Sequence, residues 1–389
     1  MPWILNRASW ILGRDLGFSQ VVVASPEPLE QGAKVYKQWL DNGYAAEMGY
    51  LKRDPERRTT PSMTFSPVRS IIVASVSYYQ EIPPPPERYV WGRVAAYAIG
   101  LDYHQIIRQK LELYADLIER EIGRPLARRS VTDDAALFEQ ALAARHGLGF
   151  TGKNSLIIGP KLSGSYNLIS ELFIDLELPA DMPYKGTCGS CFRCGTACPT
   201  DAIAYSSVAG TDGGAYMVDA NLCISYLTIE NKNGIREPLR HKLGDWVFGC
   251  DICQDVCPYN QKPPLCPWPE LSSQKGVGHY LDLLALLEIS DDAQWRKQFA
   301  GSPLLRPKLR GIRRNALVVL GNKLQRQTVD AKVVISALGQ YLSNEADEML
   351  LEHGAWALGQ AGQAGRSGLS DLLRRDLSAP TRAAILSYA

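Results

Sequence analysis

All nine cysteines of the chain lie between Cys188 and Cys266, and eight of them form two spaced runs. The first is Cys188-x2-Cys191-x2-Cys194-x3-Cys198-Pro199; the second is Cys223, then Cys250-x2-Cys253-x3-Cys257-Pro258. A cubane iron–sulfur cluster needs four thiolates at the corners of a small tetrahedron. The x2 spacing lets consecutive thiolates and nearby backbone N–H groups wrap one cluster, while the Cys before Pro points to the other. The runs therefore predict two 4Fe-4S clusters with exchanged ligands. Cys188, Cys191, Cys194 and Cys257 bind one, and Cys198, Cys223, Cys250 and Cys253 the other, Cys223 replacing the usual near-neighbour ligand after a long insertion. Structural zinc sites also use x2 spacings, but they have no need of Cys-x3-Cys-Pro twice over. Cys266 is left as a buried or loop thiol. Concentrated cysteines point to a cluster module in a reducing compartment, whereas a secreted disulfide scaffold would spread them. Such a module signals electron transfer without naming a substrate.

The flanking sequence must position this module. Residues 1–180 read as an α/β domain. Ser70–Tyr79 is a continuous apolar, β-branched run suited to a strand covered on both faces. Tyr103–Ile122 places Ile106, Ile107, Leu111, Leu113, Tyr114, Leu117 and Ile118 at helical spacing among charges, and Gly123 and Pro125 stop it. A second helix is expected over Ala135–Arg145, ended by Gly147, and further strands over Leu156–Ile158 and Leu168–Leu176. Pro83–Pro86 reads as a rigid surface loop. Residues 181–270 hold the cysteines, with many Gly and Pro and little periodicity, as a bacterial-ferredoxin-type module held by its clusters would. Residues 271–389 read as all-helical. The segment RRNALVVLGN at 313–322 recurs roughly as EHGAWALGQAG at 352–362, a spacing close to HEAT-like helix pairs.

Composition sets outer bounds. The 389 residues are 46% hydrophobic and 21% charged, an ordinary globular balance. Lys+Arg (42) and Asp+Glu (41) nearly cancel, so binding to a polyanion must rely on a local patch. The N-terminal run is too short and too charged for a signal peptide, and no window approaches a membrane span. A cytoplasmic protein is expected.

With the cysteines placed, the order VTDD, GLGFTGKN, CGSCFRCGTACPTDAI, CISYLTIE, GCDICQDVCPYN and a HEAT-like tail resembles the epoxyqueuosine reductase family over nearly the whole chain. The resemblance implies a cobalamin-dependent enzyme that removes the epoxide oxygen of epoxyqueuosine at the wobble position of certain tRNAs. In that family an Asp ahead of a helix acts as proton donor beside the cobalt. Aligning on Gly147-x-Gly149-Phe150 and Lys153-Asn154 puts that role on Asp133, with Asp134 and Thr132 in place of the family's usual neighbours. Read from the residues alone, one of the two acids could instead cap a helix beginning near Ala135. The resemblance also implies cobalamin contacts at Arg58, Ala95, Tyr97, Asp133, Ile157, Ile169, Ser225, Asp251 and Ile252. Asp102-Tyr103-His104 begins like an Asp-x-His-x-x-Gly motif, but position 107 is Ile. The cofactor is therefore expected base-off without a protein His on cobalt, and His104 is read as structural.

The implied substrate is a nucleoside in an anticodon loop, where bases can be splayed into a pocket. Between Arg296 and Arg314 stand seven cationic residues and no acid, which nominates Arg310, Arg313 and Arg314 for RNA phosphates, with Lys232 a further candidate. A monomer fed by a separate electron donor is expected. Two other classes compete: a reductive dehalogenase-like corrinoid enzyme acting on a small molecule, and a non-enzymatic iron–sulfur electron carrier. The basic stretch and repeat tail favour RNA over the first, and the second predicts no cobalamin and no role for Asp133.

Overall fold

A computed structural model describes residues 11–160, 163–205 and 216–389. The chain divides into two compact units built from interleaved segments, residues 1–81, 100–221 and 251–276 in the first and 82–99, 222–250 and 277–389 in the second. This division cuts across the three regions read from the sequence, because the chain leaves and re-enters each unit.

The first unit is built on a four-stranded antiparallel sheet in the spatial order Gln20–Ala24, Ser70–Ser77, Asn167–Ile174, Arg128–Val131. Every residue of Ser70–Ser77 is buried. One face of the sheet carries Val22, Ile71, Val73, Val131 and Phe173 against Leu137, Leu142 and Ala143 of the segment running into helix Glu139–Arg145. The opposite face meets helix Tyr103–Ile122: Arg128 pairs with Glu112, Asp116 and Glu119 of that helix, and Ser130 donates to Glu112. That helix has the bounds its periodicity predicts. Asp102 caps it by accepting from the His104 N–H, and Gly123, at φ 72°, supplies the left-handed turn that ends it. Burying each large aliphatic side chain here contributes roughly 1.5–3 kcal/mol. The second expected helix starts later, at Glu139 rather than Ala135, and neither Asp133 nor Asp134 caps it.

The second unit pairs a small sheet with a helical array. Its central strand, Trp91–Val94, runs parallel to Trp246–Phe248 and antiparallel to Tyr280–Asp282. Helices Lys308–Gln325 and Glu348–Gly359 carry the two similar sequence segments and pack on each other. A Cβ on Gly321 would stand 2.5 Å from the Trp356 ring, so a glycine is needed for this approach. Among the described residues no helix is long and apolar enough to cross a membrane.

Candidate active site

The Asp133 loop leaves the end of strand Arg128–Val131 and is tied down from three directions. Asp133 adopts φ 53°, a left-handed conformation that a non-glycine residue holds only when its surroundings impose it. Its side chain is 70% exposed. The Tyr103 hydroxyl donates to Asp133 Oδ2 at 2.9 Å, and the Asp133 N–H donates to Glu139 Oε1 at 2.9 Å. His104 stands beside it, with Nε2 4.0 Å from Asp133 Oδ2 and Nδ1 2.6 Å from Asp102. Burial works against the imidazolium, but the hydrogen bond and charge of Asp102, with Asp133 and Asp134 adding, hold His104 above its ordinary pKa. The His104 ring is stacked on that of Tyr103, beside the Asp133 carboxyl.

Asp134 is engaged differently. Its Oδ1 accepts from the Thr132 N–H at 3.1 Å and its Oδ2 pairs with Arg108. The two adjacent acids thus have separate tasks: Asp134 closes the turn, and Asp133 presents a carboxyl outward.

Beside this loop the unit has a buried apolar cluster and one orphan donor. Ile157 is buried in the same cluster as Val131, with Ile169 packed against it. Arg58 Nη2 donates to the Tyr50 carbonyl at 3.1 Å, while its Nε is buried with no hydrogen-bond partner. The Arg58 carbonyl accepts from Phe138 N at 2.7 Å, joining this arginine to the segment that follows the acid loop. The unpaired buried donor and the presented acid fit a corrin with polar edge groups, while Ile157, 5% exposed, stands in the core of the unit. Asp251 is buried, and its Oδ1 accepts from Gln254 Nε2 at 3.1 Å, so its side chain is engaged within the protein; Ile252 opens the short helix beside it. In the second unit Ala95, Tyr97 and Ser225 gather around Phe248 and Gly249. Ala95 N donates to the Phe248 carbonyl, the Tyr97 and Phe248 rings lie 6.2 Å apart, and Gly249 N donates to Thr228 Oγ1 one turn from Ser225. Gly249 has φ 68°, and a Cβ there would lie 2.5 Å from that of Ala95.

Cys188, Cys191, Cys194 and Cys257 all belong to the first unit. Cys194 lies under the influence of Cys188 and Cys257, and Cys257 under that of Cys188 and Cys191. Burial first, then these neighbouring thiols, push both above the usual thiol range. Four cysteines from two distant runs thus lie near enough to influence one another. The short helices Arg193–Ala197 and Ile252–Asp255 pack on each other behind them. Of the other set, Cys198 and Cys253 belong to the first unit, and Cys223 and Cys250 to the second. Cys198 Sγ accepts from the Ala202 N–H at 3.4 Å. Cys266 is a half-buried thiol 3.6 Å from the Trp268 carbonyl, as expected for a leftover cysteine.

Residues 187–260 match the family described as the 4Fe-4S double cluster binding domain, and residues 58–134 match epoxyqueuosine reductase QueG, DUF1730. The epoxyqueuosine reductase of Cellulophaga algicola is 36% identical over 305 residues, covering 77% of this chain and 93% of the relative. That of Vibrio cholerae is 34% identical over 354 residues, covering 88% of both. The chain belongs to the epoxyqueuosine reductase family. A crystal structure of a family member with an epoxyqueuosine-modified tRNA-Tyr stem loop aligns over 100% of this chain and 98% of its own, at TM-score 0.86 and 25% identity. Another solved member, from Bacillus subtilis, has its catalytic aspartate loop swung out of the active site, at TM-score 0.85 and 24% identity.

Within this member of the family the basic stretch is not the surface its sequence suggests. Arg314 is fully buried and is withdrawn as a phosphate ligand. Its guanidinium donates to the carbonyls of Leu227, Asn231 and Asn233 at 2.6–2.8 Å and to Asn315 Oδ1. Burial, with Arg310 adding, lowers its pKa to about 10. Arg313 also turns inward, donating to the Ile289 carbonyl and lying 5.4 Å from the centre of the Tyr341 ring. Arg310 is exposed but paired with Asp347, and it donates to the Lys232 carbonyl at 2.7 Å. Arg306, Lys308 and Arg310 of the stretch stay exposed near Lys232, Arg306 pairing with Glu230 at 2.6 Å; burial, with Arg306, Lys308 and Arg314 adding, lowers the Lys232 pKa against Glu230. Arg314→Ala is expected to leave the buried carbonyls of Leu227 and Asn231 without this donor and cost roughly 3 kcal/mol or more. Thermal melting would show the loss, Arg314→Lys would not restore it because an ammonium cannot reproduce the fork, and tRNA affinity well below the melt would be unchanged.

Sequence reasoning missed Tyr103, Glu139 and Glu171 around the acid loop. The only signal available was Glu139 six residues after Asp133 and a lone Glu171 inside an apolar strand run.

Proposed function

We propose that this chain reduces epoxyqueuosine to queuosine at the wobble position of tRNA anticodons, using cobalamin and electrons passed through two 4Fe-4S clusters. The observation that carries the reading is the Asp133 loop: a carboxyl presented outward on strained backbone, in a chain with a double-cluster domain. The relative bound to a modified stem loop supports the substrate, and the relative with its aspartate loop swung out supports a mobile acid loop.

Removing an epoxide oxygen as water to leave an alkene takes two electrons and two protons. When bound, cobalamin supplies the carbon-centred reduction, and the clusters supply electrons one at a time. Asp133 gives a proton to the oxygen as the C–O bond breaks. Tyr103 holds the carboxyl in place through Oδ2. Arg58, Ile157 and Ile169 would hold the cofactor's edge and face in the first unit; Asp251 and Ile252 there, and Ala95, Tyr97 and Ser225 in the second unit, are further candidates on the family resemblance. A base-off cofactor without a protein His ligand, a monomeric state, a separate electron donor and a cytoplasmic setting belong to the same reading. An anaerobic purification with optical and iron analysis tests it: corrinoid bands with about eight iron per chain are expected, and absence of corrinoid binding would leave an electron carrier.

The tRNA backbone is proposed to meet the cations around Lys232, namely Arg306, Lys308 and Arg310, in the helical C-terminal region. Replacing Lys232, Arg306 and Lys308 with Ala is expected to reduce the log–log salt slope of tRNA binding by roughly two, at about 0.7–0.9 per phosphate contact. Turnover of a saturating anticodon stem-loop should change little, since phosphate contacts position the RNA rather than specify its bases. An unchanged slope would move the docking surface elsewhere.

A further inference from the structure

We propose that Glu139 and Glu171 form a proton-sharing positioning pair that holds the Asp133 main chain in its outward-presenting conformation. This rests on the reading of Asp133 as the acid. Glu171 lies in the middle of strand Asn167–Ile174, opposite Val73 on one side and Val131 on the other, and it is 0% exposed. It shares its face with Ile169 and Phe173 of the apolar cluster. Neither of its carboxyl oxygens has a donor from the rest of the protein, and the hydrogen-bonding group beside it is the carboxyl of Glu139. Two carboxyls bond only when at least one carries a proton. Glu139 in turn accepts the N–H of Asp133 at 2.9 Å, the residue whose left-handed backbone needs support.

The cations nearby are committed elsewhere. On helix Tyr103–Ile122, His104 faces Asp102 and Asp133, and Arg108 pairs with Asp134. Arg129, on the face of its strand turned to the pair, donates to the Thr64 carbonyl. Arg58 donates to Tyr50, and Arg145 to the carbonyls of Glu27 and Pro28. Among the described residues the Asp133 N–H favours a charge on Glu139, and the carboxyls of Asp133 and Asp134 oppose one. Burial pushes Glu171 well above the carboxylate range and, with the charge of Asp133, pushes Glu139 up to about 8. The pair therefore keeps at least one shared proton at neutral pH. Loss of the first leaves Glu139 a stronger acceptor for the Asp133 N–H, and only loss of the second sets two buried charges against each other and breaks the support of the loop.

Amide exchange at residue 133 in the full chain, measured from neutral to alkaline pH beside single-turnover rates, tests this. The wild type is expected to protect this amide from neutral pH through about pH 8, and to lose protection and rate, beyond the intrinsic pH effect, only at higher pH as the second proton leaves. Glu139→Gln, neutral and still an acceptor, should keep protection into the alkaline range and lower turnover by less than about threefold, whereas Glu139→Ala should lose protection and lower kcat about tenfold to a hundredfold with little change in KM. Glu171→Gln should follow the wild type at neutral pH. If Glu139→Ala keeps wild-type protection, or Glu139→Gln shows the wild-type alkaline loss, the pair does not position the loop. Should Glu139→Ala fail to fold, the Gln comparison decides. Full turnover in Asp133→Asn would overturn the acid reading alone, because the exchange measurement judges the pair without it.

Discussion

Asp133→Asn is expected to lower turnover by about 10²–10⁴-fold, the usual contribution of general acid–base catalysis, while cofactor and iron content stay at wild-type levels. An amide keeps the shape of the carboxyl and its contact with Tyr103 but has no proton to give the departing oxygen. Asp134→Asn should be mild by comparison, within about threefold, on structural grounds. Asparagine still accepts from the Thr132 N–H through its carbonyl oxygen, and the Arg108 pair it weakens is half exposed, where such pairs are worth about 0–1 kcal/mol. Steady-state rates with a modified stem-loop, alongside optical spectra of each variant, compare the two. An inactive Asp134→Asn with an active Asp133→Asn would reverse the assignment.

The second large effect is the loss of a whole cluster from a distant cysteine. Cys257→Ala should disable the cluster held mainly by Cys188, Cys191 and Cys194, although Cys257 lies in the other run. Cys198→Ala should disable the one held mainly by Cys223, Cys250 and Cys253. Each variant is expected to lose up to about four iron per chain and one of two EPR signals. The meeting of Cys257 with Cys188, Cys191 and Cys194 in one unit supports the first half of the pattern. If both variants lose the same signal, the ligands are not exchanged.

The sequence by itself determined the parts whose physics is local. Ligand spacing within a cysteine run is set by the size of the cluster, so the two runs announced the double-cluster module before any fold was known. Helix Tyr103–Ile122 was legible from its apolar stripe, its Asp102 cap and its Gly123 stop, and the Ser70–Ser77 strand from its unbroken apolar run. Two things were decided only by the tertiary structure. The support of Asp133 comes from Tyr103 on one helix, Glu139 on another and Glu171 on a strand, and no spacing rule links residues that meet only after the sheet is assembled. The basic run also divides by burial. Its helix continues into the apolar ALVVL at 316–320, a hint of a helix buried on most sides, yet nothing in the run shows that carbonyls of Leu227, Asn231 and Asn233 wait inside for a guanidinium. A buried arginine is stable only where backbone acceptors converge, and convergence of acceptors from a distant segment is a property of the folded chain alone.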